Sequence, residues 1–186
     1  MRDVHFPNVK IDWDSYDSFV GALKVTSEEK IDVPSPAERV DCKGATDVTV
    51  IGFEKASFEV VISTKRNLKY GLRILASQFD EKPCLRFCSR GQTHMNPDDG
   101  SGIASRSVPT PHFHKVNSSG ILIAYQTPDL VQLNTKDKII SNLQAGIDRF
   151  CQEINLSTQS GHPLRAVVGF LSLQSVDPLE NASFPQ

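Results

Sequence analysis

Three histidines and two arginines in the middle of the chain have the types and spacing to do chemistry. The stretch from Leu85 to Lys115, LRFCSRGQTHMNPDDGSGIASRSVPTPHFHK, carries His94, His112 and His114 around an Asn-Pro-Asp-Asp-Gly turn and a long Gly/Ser/Pro loop. In Pro111-His-Phe-His-Lys115 the period of two along a strand puts His112 and His114 on one face and Phe113 on the other. With Phe113 in the core, both imidazoles leave it together, so an exposed pair is expected, with His94 on the same side. Alanine at both positions should then change stability by less than about 0.5 kcal/mol.

Two neutral imidazoles from one strand can meet a divalent metal such as zinc, with His94 as a third ligand across the loop and Asp98 as an alternative. The same side chains can work without metal. Two imidazoles flanking a phosphodiester serve as base and acid, while Arg73 or Arg86 stabilises the developing negative charge, which is the logic of metal-free ribonucleases. The candidate catalytic set is therefore His94, His112, His114, Arg73 and Arg86. Each feature has a plain structural counterpart. His-x-His pairs arise by chance, Asn-Pro-Asp-Asp-Gly is good turn chemistry, and no carboxylate follows the pair as a cupin-like site would want.

The remaining chemistry-bearing residues give less. His5 lies in the polar lead-in and His162 precedes Pro163, so both read as structural. Cys42, Cys84, Cys88 and Cys151 form no CxxC pair. Buried free thiols are the expectation, without a disulfide framework or structural zinc site, although Cys84 and Cys88 share one strand face. No GxSxG, P-loop or GxGxxG occurs, which removes the familiar hydrolase, kinase and dinucleotide chemistries.

Charge adds a pointer. The chain has 186 residues and a formal net charge of -2. From Ser63 to Lys115 nine Lys/Arg face four acids, a local +5 that leaves -7 elsewhere. A basic region in an acidic protein suits an anionic ligand, RNA among them, and argues against wholesale nucleic-acid coating. The N-terminus has no apolar signal-like region and no apolar run approaches membrane length, so the expectation is a cytoplasmic protein with no membrane partner.

Positioning these residues needs a sheet. The composition is that of an ordinary globular domain, and the length suits one domain over 1–186, compact from about 14 to 173, with loose ends. Residues 1–12 read as a loosely held lead-in. Asp14 or Ser15 caps a short helix through about Val25, and Thr26 to Thr46 is a connector broken by Pro34, Pro36 and Gly44. From Asp47 the period changes to two. Val48, Val50 and Phe53, then Phe58, Val60 and Ile62, then Tyr70, Leu72, Ile74 and Ala76, then Leu85 and Phe87 mark successive strands of an antiparallel meander. Pro111 to Val116 and Ile121 to Tyr125 add two more. Ile139, Ile140, Leu143, Ile147, Phe150, Cys151 and Ile154 recur at helical spacing, predicting one helix from Asn134 or Thr135 to about Asn155. Leu164 to Leu173 can add an edge strand, and the tail from Ser175 reads as mobile. The predicted fold is α+β, an antiparallel sheet of about five to seven strands packed on that amphipathic helix, with a short N-terminal helix.

Several segments together resemble one domain-of-unknown-function family of short bacterial proteins found in prophages and other mobile elements. They are Asp32-Val-Pro-Ser-Pro, Leu72-Arg73, Leu85-Arg86-Phe87, His94-Met-Asn-Pro-Asp-Asp-Gly100, Pro111-His-Phe-His114 and Phe150-Cys-Gln-Glu-Ile-Asn155. The family pattern is His-x-Asn-Pro-Asp-Gly, then Pro-His-x-His, then a helix ending in a Cys-Asn-Ile-like turn. The extra Asp99, the longer Gly102–Pro109 insertion and Lys115-Val116 in place of an aromatic residue depart from it. The resemblance spans Ile31 to Asn155. It implies a shared α+β domain and groups His94, Asn96, Asp98, His112 and His114, without an established activity. On this footing the first functional expectation is a binding or interaction module of a mobile element that displays an exposed histidine-rich site. A metal- or histidine-dependent phosphodiesterase or ribonuclease-like hydrolase, and an antitoxin-like regulatory partner of another protein, are the alternatives.

Overall fold

The computed structural model describes residues 5–34, 41–63, 68–97 and 107–169. The expected turn at Lys65 to Asn67, the loop carrying Asp98 and Asp99, and the tail from Ser175 lie outside them. The chain begins with helices α1 (Pro7–Ile11) and α2 (Trp13–Gly21) and strands β1 (Lys24–Thr26) and β2 (Lys30–Val33). A meander follows: β3 (Cys42–Val50), β4 (Ala56–Ser63), β5 (Lys69–Ala76) and β6 (Pro83–Cys88). Next come β7 (His94–Met95), β8 (Ser107–Val108), β9 (His112–Val116) and β10 (Leu122–Tyr125). Helices α3 (Pro128–Val131), α4 (Leu133–Ser141) and α5 (Leu143–Glu153) lead to β11 (Leu156–Thr158) and β12 (Arg165–Val168). No helix among the described residues is long and apolar enough to cross a membrane.

The result is a mixed α/β protein around one large sheet. Eight strands run in the order β10-β9-β6-β5-β4-β3-β1-β11, antiparallel except for the β1–β11 pair. The sheet exceeds the five to seven strands predicted because β1 and β11 extend it beyond the meander. Alternation sorts its faces. Phe58, Val60, Leu72, Ile74, Leu85, Phe87 and Phe113 are buried on one face. Phe150 of α5 lies against that face, with its ring 5.9 Å from Phe58, 6.3 Å from Phe113 and 6.4 Å from Phe87. Ile147 beside it is fully buried, whereas Leu143 is half-buried. Stacked and tilted aromatic contacts of this kind add to simple area burial.

The predicted single helix from 134 to 155 is two helices. Asn142 adopts an extended backbone, and its side chain accepts a hydrogen bond from the Ala145 N–H, so it ends α4 and caps α5. Tyr70 holds the break. Its hydroxyl donates to the carbonyl of Ile139 at 2.5 Å, one of the last-turn groups that a helix cannot satisfy internally. Gly146 makes the approach feasible, since a Cβ there would overlap the Tyr70 hydroxyl.

Three other expectations need correction. From His5 onward the lead-in is not loose. Phe6 and Val9 are buried, and the Phe6 N–H donates to the Gly120 carbonyl at 2.7 Å. The 26–46 connector contains β2 and the start of β3. A Cβ on Gly44 would lie 2.5 Å from the Asp32 carbonyl oxygen, so this glycine lets β2 cross close over β3. Finally, β12 pairs parallel with β2 in a separate ribbon and does not lengthen the main sheet.

Two predictions follow from the helix contacts. Gly146→Ala should destabilise the protein by about 1–3 kcal/mol in urea unfolding, despite alanine's higher helix propensity, because the methyl overpacks the site. Tyr70→Phe in the same chain should recover only part of that loss, because the ring carbons Cζ and Cε2 still lie 2.6 and 2.7 Å from the new Cβ and the bond to Ile139 is lost. The second concerns Arg149, whose guanidinium lies 5.2 Å over the Phe113 ring and bonds both carboxylate oxygens of Asp129, at 2.6 and 3.1 Å. Arg149 holds the Asp129 pKa down at about 2. A carboxylate depressed on folding stabilises above its unfolded pKa of about 3.9 and loses that contribution as pH falls through the folded value. The stability gap between wild type and Asp129→Asn should therefore be constant from pH 7 to 5 and close between about pH 4 and 2.

Candidate metal centre

The site is built from one strand pairing outward. In the antiparallel register of β6 with β9, Arg86 faces His114, Phe87 faces Phe113 and Cys88 faces His112. The phenylalanines turn to the core, where their rings lie 5.1 Å apart. The four polar side chains must then share the opposite face. The β5–β6 pairing extends the pattern, with Arg73 opposite Arg86 and Gly71 opposite Cys88. Two cross-strand rows result, one running His114, Arg86, Arg73 and Glu59, the other His112, Cys88, Gly71 and Val61.

His94 reaches this face from another element. Its strand β7 pairs with β8, and two residues after His94 the Asn96 side chain docks on the edge strand β10. The Asn96 amide donates to the Ala124 carbonyl at 2.8 Å and accepts from the Ala124 N–H at 2.7 Å, as a strand backbone would. Ala124 is the register partner of His114. The Asn96 clamp thereby sets His94 over the pair. The three imidazoles converge, with ring centroids 4.6 Å apart for His112 and His114, 4.9 Å for His94 and His114, and 6.1 Å for His94 and His112.

Their environment differs from the one predicted. His112 and His114 are 2% and 4% exposed, so the imidazoles leave the apolar core yet remain shielded from water. Strand alternation fixes which face a side chain takes, but not whether that face is covered. Alanine at these positions would therefore leave buried space behind, and the small stability change expected of exposed residues does not apply. Arg73 and Arg86 lie on the same face, half-buried, as the alternation requires.

A fourth group was overlooked. Cys88 Sγ lies 3.7 Å from His114 Nε2, and one ligand atom from each of Cys88, His112 and His114 falls within 4.8 Å of the others. The pointer was present in the sequence, because Cys88 is two residues from Arg86 and hence on its face. Cys84 does not share that role. It lies in the core at an irregularity where Ile74 pairs with Leu85 and Leu75 with Pro83, and its thiol donates to the Ile74 carbonyl at 3.5 Å. Asp98, the alternative ligand, is outside the described residues.

The chemistry of the three donors suits a transition metal. His112 Nδ1 lies 3.1 Å from the Pro109 carbonyl. A carbonyl only accepts, so Nδ1 carries the proton and Nε2 keeps its lone pair, the usual support of a metal-binding imidazole. Gln126 steadies this arrangement by donating to the carbonyls of Pro109 at 3.1 Å and Pro111 at 2.8 Å. His114 Nδ1 is buried without a hydrogen-bond partner. Desolvation, then the neighbouring His112 and Arg86, push the His114 pKa down to about 2, and burial lowers that of His112 as well. Both rings are neutral at physiological pH, the form that binds metal. A base-and-acid pair would need one of them protonated. Burial raises the Cys88 pKa, against the pull of Arg86. Zinc–sulfur and zinc–nitrogen bonds of about 2.3 and 2.1 Å place tetrahedral ligand atoms roughly 3.5 Å apart, so modest side-chain rotation closes the set.

The cluster opens onto a cavity of about 520 Å³ that His94, Arg73, Arg86, Arg90 and Lys69 also line. No family model, curated protein or solved structure matches this chain.

Asn96 gives a direct check on the assembly. It is 6% exposed, and Asn96→Ala strands two buried backbone groups of Ala124. The expected loss is about 1–3 kcal/mol in urea unfolding. Slow-exchanging amides of β10 should lose protection in hydrogen exchange, whereas those of β4 should not.

Proposed function

We propose that this protein is a zinc-dependent hydrolase. Cys88, His112 and His114 are the ligands, a fourth position opens to the cavity, and His94 is the proton carrier. One observation carries the reading: three side chains of metal-binding type meet within 4.8 Å at the foot of a cavity. Three protein ligands with one open position is the arrangement of catalytic zinc, where a closed set of four is structural. A bound metal lowers the pKa of water toward about 7 and so supplies a nucleophile at neutral pH. His94, whose ring is 4.9 Å from that of His114, lines the same cavity and is placed to take the proton and return it to the leaving group. The interaction-module reading relied on imidazoles displayed at the surface, and their burial removes that support. The metal-free ribonuclease reading is weakened by the neutrality of His112 and His114.

The test is metal binding by the full chain prepared without a histidine tag. About one zinc per chain is expected. Saturation at a thousand times the dissociation constant should stabilise folding by about 4 kcal/mol, seen as a higher thermal midpoint. Cys88→Ser and His112→Ala should each weaken zinc binding on the order of 100-fold or more, and Gln126→Ala about tenfold, through its hold on the Pro109 carbonyl. Wild-type protein that takes up neither zinc, cobalt nor manganese at micromolar concentration would remove the proposal, as would unchanged affinity in the ligand variants.

A further inference from the structure

The cavity floor beside the three donors is more specific than a general anion site. Arg73 and Arg86 are adjacent in one cross-strand row, and Arg90 stands just beyond the end of β6. Each has its Nε buried without a hydrogen-bond partner. Among the described residues, Lys69 is the fourth cation of the lining and Asp41 its one carboxylate. Asp41 already accepts a hydrogen bond from the Ser63 hydroxyl at 2.6 Å. Glu59, the register partner of Arg73, is in contact with Lys43 in a salt bridge on the far side of the row. Among the described residues, the three guanidiniums thus line one space with more positive than negative charge around it. Buried Nε donors without protein partners are a place where an anion gains charge-assisted hydrogen bonds.

Resting on the hydrolase reading above, we infer that the substrate is a phosphate monoester of about nucleotide size, with its phosphoryl group held by Arg73, Arg86 and Arg90 beside the zinc position. The charge count favours a monoester. A terminal phosphoryl group is close to a dianion at neutral pH and presents three unshared oxygens, which matches three guanidinium forks, whereas a diester carries one charge on two such oxygens. Size agrees, since a cavity of about 520 Å³ holds a small organic phosphate. A polynucleotide would need a basic track continuing outside the cavity, yet the chain outside Ser63 to Lys115 carries -7.

Gly71 marks where the phosphoryl group sits. It lies between Cys88 and Val61 in the second row, and a side chain there would meet only the Phe87 carbonyl, at 3.4 Å from its Cβ. The missing side chain leaves the floor open between the donors and the arginines.

In the reaction a water oxygen forms a bond to phosphorus and the ester oxygen–phosphorus bond breaks. One water proton passes through His94 to the leaving alkoxide. The products are an alcohol and inorganic phosphate, with no oxidant or further reactant required.

The experiment compares 4-nitrophenyl phosphate with bis(4-nitrophenyl) phosphate as substrates of the zinc-loaded full chain, with zinc content measured for each sample. Inorganic phosphate is the binding probe. Wild type should hydrolyse the monoester at least about tenfold faster and bind inorganic phosphate. Arg73→Gln and Arg90→Gln should each weaken phosphate binding about tenfold or more while keeping one zinc per chain. Gly71→Val should block phosphate with zinc retained. If Arg73→Gln fails to fold, Arg90→Gln and Gly71→Val carry the test. Full zinc loading with no phosphate binding, phosphate affinity unchanged in these variants, or faster cleavage of the diester or of a short RNA would each overturn the inference. Phosphate binding by a chain that takes up no zinc would instead sink the hydrolase reading and leave the anion pocket standing.

Discussion

The register between β6 and β9 is the constraint on which the rest depends. Pairing Phe87 with Phe113 and Arg86 with His114 commits alternate residues of both strands to opposite faces. A slip of β9 by one residue would drive the Phe113 ring out of the core and bury His112 and His114 against Phe150. The apolar contact on one side therefore enforces the polar cluster on the other. Neither strand needs information about the site to build it. The cluster is the reverse side of the core.

Precision then comes from what backs the two strands. Phe150 lies against Phe58, Phe87 and Phe113, and Arg149 covers the Phe113 ring while bonded to Asp129 and Glu153. Tyr70, next to Gly71 on the cavity floor, reaches through to the break between α4 and α5. On the site side, the paired hydrogen bonds of Asn96 with Ala124 hold the segment of His94, and the Pro109 carbonyl fixes His112 directly. Packing thus sets the strands, and hydrogen bonding sets the rings. This division is suited to a metal site, where a displacement of about 1 Å decides whether ligands close on an ion.

Local periodicity made the meander, the inward turn of Phe113 and the shared face of His112, His114, Arg73 and Arg86 legible in the sequence. It did not reveal what depends on a second element. The burial of the histidines reflects cover over their face, which strand alternation does not encode. Cys88 joins the histidines only because its strand pairs in register with His112, and a lone cysteine announces nothing about its neighbour. The helix break at Asn142 was hidden because Ile139, Leu143 and Ile147 keep helical spacing across it, while the deciding contact comes from Tyr70, more than sixty residues away. Gly44 read as a chain breaker, when its role is to let β2 pass over β3.

On the proposed reading the two halves of the cavity would also be thermodynamically coupled. Bound zinc would bring two positive charges next to Arg86, and a Cys88 thiolate would cancel only one of them. Neutral His112 and His114 cancel none. With four basic side chains already lining the cavity, metal entry meets unfavourable charge in a partly desolvated space, where such repulsion is screened far less than at an open surface. A dianion among the guanidiniums reverses the sign of that field. Each partner then improves the affinity of the other by the same factor, because the coupling free energy belongs to the pair and not to either ligand. A site of this composition would consequently hold zinc more tightly with its anion bound than without it. On this reading the arginines would govern the metal as well as the substrate.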